Sequence, residues 1–499
     1  MASGLTQKAW PNLSSAELKT WKAAREGWMT RVATILLLSV LSLQAQQKPT
    51  AIVNVTLVPM DHDGIIEHQT VVVQGGRIKA IGPSRSLRLP TGSQQIDGRG
   101  KFLMPGLADM HVHFVREALP QNASFSAPTP FGRTPGIPAS ASSDHEHENT
   151  AYALMFLANG ITTVRNMWGS ETIDAFAKEI DLGRVPGPHV YSTGPITDGN
   201  PADWQSVRIV ETSAQAEEAV RSDKKHGYVA IKVYGGLSRD AYAAIVAAAR
   251  GEGLPVVGHI PASVGLEGVL AAHQDSIEHA DSFLPSLQPE GTGVRGKSLA
   301  DIVRDADFSK LPAIAQAVKA ANSWVCPTLV VDDLPRTDAT WLEEASFVPP
   351  AVFERYRTMY PNKTTDPRTT TRGRAVDLAI VSALHNSGVR LLLGTDTVKP
   401  GTLPGFSLHD ELENFVAAGM TPYEAIRAGT ADAAEFLNQG REFGVVAVGR
   451  RADLLLLNAN PLEDVKNTSK ITGVMASGRW LTADELTHQL ATLRSSYRP

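Results

Sequence analysis

Two histidines with a spacing of i, i+2 stand at the end of a short apolar run. The run is Met104-Pro-Gly-Leu-Ala-Asp-Met-His-Val-His-Phe114, and the histidines are His111 and His113. Successive side chains on a β-strand alternate between its faces, so these two imidazoles would point the same way, about 7 Å apart. Neutral imidazole is a common ligand of zinc and of neighbouring metals. The pair therefore predicts part of a metal site, whose other ligands must come from elsewhere in the chain.

Four further polar residues stand in or at the end of apolar runs downstream: Lys232, His259, His279 and Asp396. Strand alternation places Lys232 on the same face as Ala230 and Tyr234. If that face lines the interior, burial lowers the pKa of the ammonium, and the neutral amine can add carbon dioxide. The product is a carbamate, an anion that can bridge two cations. The alternative for Lys232 is an ion pair with a carboxylate such as that of Asp396.

Only a fold that gathers strand ends at one place can bring these six residues together. Helical stretches, such as 213–226, 239–250, 311–321 and 375–387, separate eight β-patterned runs, at 107–113, 161–165, 190–193, 229–234, 255–259, 276–279, 324–327 and 389–394. This alternation predicts an α/β protein with a (β/α)₈ TIM barrel, whose chemistry lies at the carboxyl ends of the strands. An open doubly wound sheet is the main alternative, but the sequence shows no glycine-rich phosphate loop.

The two ends of the chain have a β pattern of their own. Short apolar runs with turn signals occupy 51–81 and 452–480, and neither end has strands enough for a stable sheet. We therefore expect both ends to pair into one small β-sandwich domain.

Two segments, 115–149 and 332–372, exceed the usual length of connections between strands and helices. We interpret them as lids or substrate walls, with disorder of the first as the alternative.

Composition excludes several classes of protein. The 499 residues carry a formal net charge of −5 without a basic block, so we expect no nucleic-acid partner. Cys326 is the only cysteine, which excludes an internal disulfide and a cysteine-based zinc site.

The apolar run 32–43 after Met29-Thr-Arg31 is typical of a secretory signal peptide, with an ordinary helix as the alternative. We expect translation from Met29, a periplasmic or secreted protein, and no membrane span once the leader is removed.

Taken together, the motifs resemble those of the metal-dependent amidohydrolase superfamily, in the branch of imidazolonepropionase-like and dipeptidase-type amidohydrolases. The resemblance extends over about residues 50 to 485. The matching pieces are Met-Pro-Gly-Leu-Ala-Asp-Met-His-Val-His, Gly-Ile-Thr-Thr-Val-Arg, Ile-Lys-Val-Tyr, Gly-His, Ile-Glu-His, Gly-Thr-Asp, Gly-Met-Thr-Pro-Tyr-Glu-Ala and Gly-Arg-Arg-Ala-Asp-Leu. Asn166, where the family often has Asp, and a third-strand loop without Gly-Gly-His depart from the pattern, and both departures leave the metal ligands intact.

The resemblance implies a pair of divalent metal ions. It assigns one ion to His111, His113 and Asp396 and the other to His259 and His279, with a carboxylated Lys232 and a hydroxide bridging them. Zinc is the first candidate for both ions, and manganese, iron and cobalt are the alternatives.

The same resemblance assigns the proton transfers to Asp396. It would accept a proton from the attacking water and pass it to the leaving nitrogen. We add Tyr234 as a hydrogen-bond donor to the developing oxyanion or to a substrate carboxylate, with a packed core tyrosine as the alternative.

We therefore expect a binuclear amidohydrolase that cleaves a carbon–nitrogen amide bond in a small-molecule substrate, a dipeptide or an N-acyl amino acid, with the bridging hydroxide as nucleophile. The alternatives are a mononuclear cyclic-amide hydrolase or deaminase of the imidazolonepropionase type, and a non-catalytic barrel. Homo-oligomerisation is left open. The expected parts are 1–47 (upstream extension and signal peptide), 48–104 (first part of the β-sandwich), 105–438 (hydrolase barrel), 439–485 (second part of the β-sandwich) and 486–499 (tail).

Overall fold

A computed structural model describes residues 48–114, 145–202, 207–333, 339–350, 352, 366–399 and 401–497. The expected signal peptide and large parts of the two long loops, 115–149 and 332–372, lie outside the described residues. Within the described part, none of the helices is both long and apolar enough to span a bilayer.

Strands lie at both ends of the described chain and alternate with helices between them. In chain order the strands are β1 (Thr50–Leu57), β2 (Ile66–Gln74), β3 (Arg77–Pro83), β4 (Gln94–Asp97), β5 (Phe102–Pro105), β6 (Leu107–Val112), β7 (Ile161–Asn166), β8 (His189–Ser192), β9 (Thr197–Asp198), β10 (Arg208–Ile209), β11 (Ile231–Val233), β12 (Val256–Gly258), β13 (Ser276–Glu278), β14 (Trp324–Cys326), β15 (Leu454–Leu457), β16 (Ile471–Ala476) and β17 (Arg479–Thr482).

The described α-helices are α1 (His145–Ala158), α2 (Glu171–Asp181), α3 (Ser213–His226), α4 (Arg239–Glu252), α5 (Gly265–Ala271), α6 (Leu299–Arg304), α7 (Leu311–Ala321), α8 (Ala339–Ala345), α9 (Thr371–Asn386), α10 (Phe406–Ala417), α11 (Pro422–Ala428), α12 (Ala431–Phe436) and α13 (Ala483–Ser496). Short 3₁₀ segments include Ala280–Leu287 and Leu329–Asp332, which follow β13 and β14.

Local sequence explains why the helices begin and end where they do. Thr212 caps α3 by accepting a hydrogen bond from the Gln215 amide, while the Gln215 side chain accepts one from the Thr212 amide. Gly227, with φ of +82°, ends the same helix in the left-handed conformation that glycine adopts at little cost. The predicted bounds of α3 and α7 are confirmed, and α4 runs two residues beyond its predicted end.

Strands from the two ends of the chain share one eight-stranded sheet. Its order is β17-β16-β15-β5-β1-β2-β3, with β4 paired to β1. The link between the ends is the antiparallel pair β15 and β5, in which Leu455 is opposite Met104. One face packs a small core that includes Ile52, Leu103 and Leu456. The expected pairing of the two ends is thus present as a single sheet, whereas a sandwich needs two sheets face to face. The sandwich and the domain boundaries therefore stay predictions.

The central strands are parallel and form two sheets, β6-β7-β8 and β10-β9-β11-β12-β13-β14. Two backbone hydrogen bonds, from Gly194 to Ala230 and from Val229 to Ser192, connect the end of β8 to the chain that leads into β11. On the other side, residues 391–397 pair with β14 and with β6 through bonds such as those from Leu392 to Val325 and from Met110 to Leu393. The strand segments therefore follow one another in cyclic order.

The eighth predicted run, 389–394, differs from the expectation of a continuous strand. The structure has isolated bridges there, from Leu391 to Val325 and from Thr397 to Val112. A Cβ at Gly394 would lie 2.6 Å from Sγ of Cys326, so glycine is needed where this segment passes the neighbouring backbone. Asp396 then has φ of +54°, which is incompatible with an extended strand.

Candidate metal centre

Three of the predicted ligands form one tight cluster. His111 lies in β6 and His113 just after it, while Asp396 is held beside them by hydrogen bonds from its own amide to the His111 carbonyl (2.7 Å) and from the His113 amide to the Thr397 carbonyl (2.5 Å). Oδ1 of Asp396 lies 3.0 Å from Nε2 of His113 and 3.5 Å from Nε2 of His111. Candidate ligand atoms of all three residues lie within 4.8 Å of one another.

The two remaining predicted histidines, His259 and His279, lie next to this cluster. The ring of His279 is 4.8 Å from that of His111 and 4.7 Å from that of His259, measured between centroids. Nδ1 of His279 lies 3.8 Å from Oδ2 of Asp396 and 2.7 Å from the hydroxyl of Thr328. The structure therefore brings the four predicted histidines and Asp396 together around one buried space.

Lys232 lies in β11 with 1% of its surface exposed. Ile231 and Val233, which alternate with it, belong to the large hydrophobic core, as the strand pattern predicts. Its Nζ makes no hydrogen bond to any described residue, and no described carboxylate lies within ion-pair distance of it. Burial lowers the pKa of Lys232 to about 8, although the charges of Glu278 and Asp396 oppose the shift. The alternative of a Lys232–Asp396 ion pair is therefore not realised among these residues.

The partner that Asp396 does have is Lys399, which the sequence analysis did not identify. Nζ of Lys399 lies 2.6 Å from Oδ2 of Asp396. Burial alone would raise the pKa of Asp396, but the charge of Lys399 and the nearby histidines hold it well below its usual range. Asp396 is therefore a carboxylate at neutral pH.

The polar atoms of this space fit a metal better than they fit one another. Besides Lys232 Nζ, the buried Nδ1 of His113 has no hydrogen bond within the described part of the chain. The oxygens of Asp396 face nitrogen atoms of His111, His113 and Lys399 at 2.6 to 3.5 Å. Unpaired buried polar atoms cost stability, and imidazole and carboxylate are donors that zinc, manganese, iron and cobalt accept.

Burial keeps the histidines in the form that binds metals. It lowers the pKa of His113, and lowers those of His111 and His259 well below the ordinary value. The pKa of His279 falls to about 3 for the same reason. Neutral imidazole has a free lone pair, so no proton needs to leave before an ion binds.

The buried ion pair of Glu278 and Arg165 holds the His111 ring on the side away from Asp396. Glu278, in β13, contacts Nδ1 of His111 at 2.9 Å and accepts hydrogen bonds from Arg165 at 2.9 and 3.0 Å and from Ser276. A carboxylate on one imidazole nitrogen fixes the ring and leaves the other nitrogen, here facing Asp396, for a metal. Arg165 thus belongs to a structural ion pair. Glu278 stands directly before His279 in the sequence, and this neighbourhood was the signal that could have identified it.

Asp109 performs a similar task for the other side of the cluster. Its carboxylate accepts hydrogen bonds from the hydroxyl and amide of Thr395 (2.6 and 3.0 Å) and from the amide of His111 (3.2 Å). Burial raises the pKa of Asp109 to about 7 against these hydrogen bonds. The residue ties β6 to the loop of Asp396, so the ligands on both are held in one geometry.

Three of the ten non-glycine residues with positive φ in the described part of the chain lie at the same place. Asp396, His279 and Thr328 have φ values of +54°, +70° and +50°, which residues other than glycine rarely adopt. Each such residue costs on the order of 1 to 3 kcal/mol, so surrounding contacts must hold it, and functional sites are where such residues cluster.

An apolar surface lies next to the histidines. Trp168, Ile196 and Tyr234 pack together, and partly buried Val207 joins them. The Tyr234 ring is 3.9 Å from that of His259, and the Trp168 ring is 6.4 Å from that of His113. The structure thus places Tyr234 beside the predicted ligands, while its expected role as a donor stays a prediction.

Other histidines lie elsewhere. His189 contacts Asp181 and Ser477, and His409 contacts Thr468 and the carbonyl of Asn159. A second grouping with metal-binding atom types consists of His111, Glu278 and Cys326. It does not suit a metal, because Glu278 is already bonded to Arg165 and burial raises the pKa of Cys326 well above its ordinary value.

Known proteins are similar to this chain over most of its length. The sequence model of the family described as "Amidohydrolase family" matches residues 102–481. Ochratoxinase from Aspergillus niger is 25% identical over 475 residues, covering 84% of this chain and 83% of the relative. Imidazolonepropionase from Pseudomonas putida (strain GB-1) is 24% identical over 404 residues, covering 78% of this chain and 87% of the relative.

Solved structures are similar as well. A Xaa-Pro dipeptidase with methionine bound in its active site superposes with a TM-score of 0.59 at 21% identity, covering 87% of this chain and 100% of that one. The range that the family model matches contains all six predicted metal ligands.

Proposed function

The chain belongs to the amidohydrolase family, and from this membership we propose that it is a binuclear member that hydrolyses the amide bond of a dipeptide or an N-acyl amino acid. It is a hydrolase that acts on carbon–nitrogen bonds, and its fold is the TIM-barrel type of that family. The number of metal ions, the carboxylated lysine and the substrate are the parts that we propose.

The proposal extends to architecture and location. The cyclic order of the hydrogen-bonded strand segments supports a closed (β/α)₈ barrel, and the sheet shared by the chain ends supports a small β-sandwich domain beside it. The apolar run 32–43 supports export to the periplasm or the medium.

The observation that carries the binuclear proposal is the isolation of Lys232. Its ammonium is fully buried and has no partner among the described residues, and its charge acts on His111, His113 and His259. Addition of carbon dioxide to the neutral amine forms an N–C bond, releases one proton and produces a carboxylate. That group would be held between two cations, the first contacted by His111, His113 and Asp396 and the second by His259 and His279.

The metal ions would supply, when bound, an activated water and a Lewis acid for the amide carbonyl. The chain's own contribution begins with Asp396, which the low pKa keeps ready to accept a proton at neutral pH. Having accepted it, Asp396 passes it to the leaving nitrogen, acting first as general base and then as general acid. Glu278 and Asp109 hold His111 in place meanwhile. We propose Tyr234 as a donor to the substrate oxygen, and the support for this is its ring, which lies 3.9 Å from that of His259.

One observation favours the mononuclear alternative of the imidazolonepropionase type. Among the described residues, His111, His113 and Asp396 have ligand atoms gathered within 4.8 Å, whereas no such group of three contains His259 or His279. A mononuclear site has no need of a bridging lysine, so the state of Lys232 separates the two candidates.

The deciding measurement is the metal content of the purified protein, determined by elemental mass spectrometry before and after incubation with zinc. About two ions per chain is the expected result. About one ion per chain would favour the mononuclear alternative, and near zero in a folded sample would contradict metal-dependent catalysis.

The reaction is tested with dipeptides and N-acyl amino acids, assayed for release of the amino acid in the presence of zinc, manganese or cobalt. We expect turnover of at least one class, lost after chelation and restored by added metal. Turnover of cyclic amides alone would contradict the proposed substrate class.

A further inference from the structure

Lys399 lies in the loop that follows the eighth barrel segment, three residues after Asp396. Its Nζ is 2.6 Å from Oδ2 of Asp396, and its side chain is 19% exposed, whereas that of Asp396 is 1% exposed. The lysine therefore touches the buried carboxylate that we assign to proton transfer and reaches solvent at the same time.

A closed turn holds the backbone of Lys399. The hydroxyl of Thr402 accepts a hydrogen bond from the Lys399 amide (3.0 Å) and donates one to the Lys399 carbonyl (2.9 Å). The amide of Thr402 also donates to that carbonyl at 3.0 Å, and Thr402 is fully buried. The ammonium thus projects from a fixed point rather than from a loosely held loop.

Its setting differs from that of the other cations at the site. Arg165 is completely buried and bonded to Glu278, and Lys232 is completely buried. Of these three cations, Lys399 is the one that solvent reaches, and so the one that an incoming anion meets at the side of Asp396.

We propose that Lys399 binds the α-carboxylate of the amino acid whose nitrogen is the leaving group. This rests on the proposed function, and it names the residue that recognises the free carboxylate that dipeptides and N-acyl amino acids share. Internal peptide bonds and amides without that carboxylate are then poor substrates.

The geometry follows from the role of Asp396. A group that protonates the leaving nitrogen comes within hydrogen-bond distance of it. The carboxylate carbon of an amino acid is two bonds from its nitrogen, about 2.5 Å away, so the carboxylate must lie close to Asp396 as well. Lys399 already lies there, and an ammonium has three N–H donors, so its contact with Asp396 does not by itself prevent a bond with a second carboxylate.

The competing explanation is that Lys399 only neutralises Asp396. Such a structural role would affect all substrates alike and would show in metal content. Recognition of a carboxylate affects only substrates that have one, and chiefly their KM.

The test uses the metal-loaded protein and three variants: Lys399→Met, Lys399→Arg, and Lys466→Met as a control at an exposed lysine that pairs with Glu413. The substrates are N-acetyl-L-leucine and N-acetyl-L-leucinamide, chosen because an apolar cluster lies beside the histidines. We expect Lys399→Met to lower kcat/KM for the carboxylate by about 30- to 100-fold, mainly through KM. The amide should change by less than about 3-fold, and Lys399→Arg should restore much of the loss.

Binding is measured in parallel by calorimetry with the same two compounds, and metal content is measured for each variant. Equal losses for both compounds, or loss of metal in Lys399→Met, would show a structural role and overturn the inference. Absence of turnover together with Lys399-dependent binding of N-acetyl-L-leucine would overturn the proposed hydrolysis while supporting the carboxylate site. Unchanged selectivity in Lys399→Met would overturn the inference even where hydrolysis is confirmed.

Discussion

Two buried cationic side chains of this protein have opposite surroundings. Arg368, just before α9, contacts Asp366 at 2.7 Å, Asp281 at 2.8 Å and Asp332 at 3.3 Å. Lys232 is at least as deeply buried and has no partner among the described residues. Although burial alone would lower the pKa of Arg368, the carboxylates raise it well above its ordinary value, whereas burial lowers that of Lys232.

The contrast separates a structural site from a functional one. A buried charge stabilises a fold only when partners offset its desolvation, as they do for Arg368. An unpartnered ammonium destabilises the fold, so its retention needs a function, and the histidines around Lys232 indicate which one. The two regions are also neighbours, because Asp281 follows the predicted ligand His279 by two residues.

The largest expected effect is that of Lys232→Met. We expect kcat/KM to fall by at least about 10³-fold, because one metal ion loses its bridge. Metal content should fall from about two ions per chain to one or fewer. The thermal stability of the metal-free protein should stay the same or rise, because an unpaired buried ammonium has been removed. Full activity with two ions per chain in this variant would contradict the bridging role.

Arg368→Met should show the reverse pattern. Removal of the guanidinium leaves three carboxylates without their common cation and should cost about 3 kcal/mol, the lower end for a buried pair because 24% of the side chain is exposed. The melting temperature should fall, while metal content per folded chain changes little. Arg221→Met, at an exposed arginine paired with Glu217, is the matched control and should leave the melting temperature unchanged. Loss of metal at unchanged melting temperature in Arg368→Met would contradict the assignment of Arg368 to a structural site.

A smaller effect is expected from His409, a part-buried histidine outside the metal centre with contacts at both ring nitrogens. Burial lowers its pKa to about 4, so between pH 4 and 6.5 the unfolded chain binds more protons than the folded one. Stability from this group is therefore full above pH 6.5 and is lost as pH falls towards 4. At pH 5 the loss is about 2 kcal/mol.

The measurement compares thermal unfolding at pH 7 and pH 5 for the wild type and His409→Gln. The variant should be less sensitive to the change in pH, and its activity at pH 7 per folded molecule should be preserved. An equal pH dependence in both proteins would show that His409 does not titrate in this way.

Much of the candidate site could be predicted because its information is local. The i, i+2 spacing of His111 and His113 on a strand, the polar residue that ends each apolar run, and the alternation that isolates Lys232 from Ile231 are all properties of short stretches. Strand ends in this class of fold lie at one edge, so local patterns were enough to expect six residues in one place. Helix bounds such as those of α3 were equally accessible, since the capping pair Thr212 and Gln215 is encoded within four residues.

Pairings between residues far apart in the chain were decided only by the folded structure. The bonds of Glu278 with Arg165 and His111, and of Asp109 with Thr395, join segments separated by more than a hundred residues. The position of Glu278 before His279 marks it as a candidate, but nothing local indicates which residues it pairs with. Lys399 is close to Asp396 in sequence, but the contact between their side chains depends on a turn and on the positive φ of Asp396. The pattern of apolar and polar side chains predicts neither. Composition and spacing therefore established which atoms could do chemistry, whereas the long-range packing decided which of them are paired and which are left for a metal and a substrate.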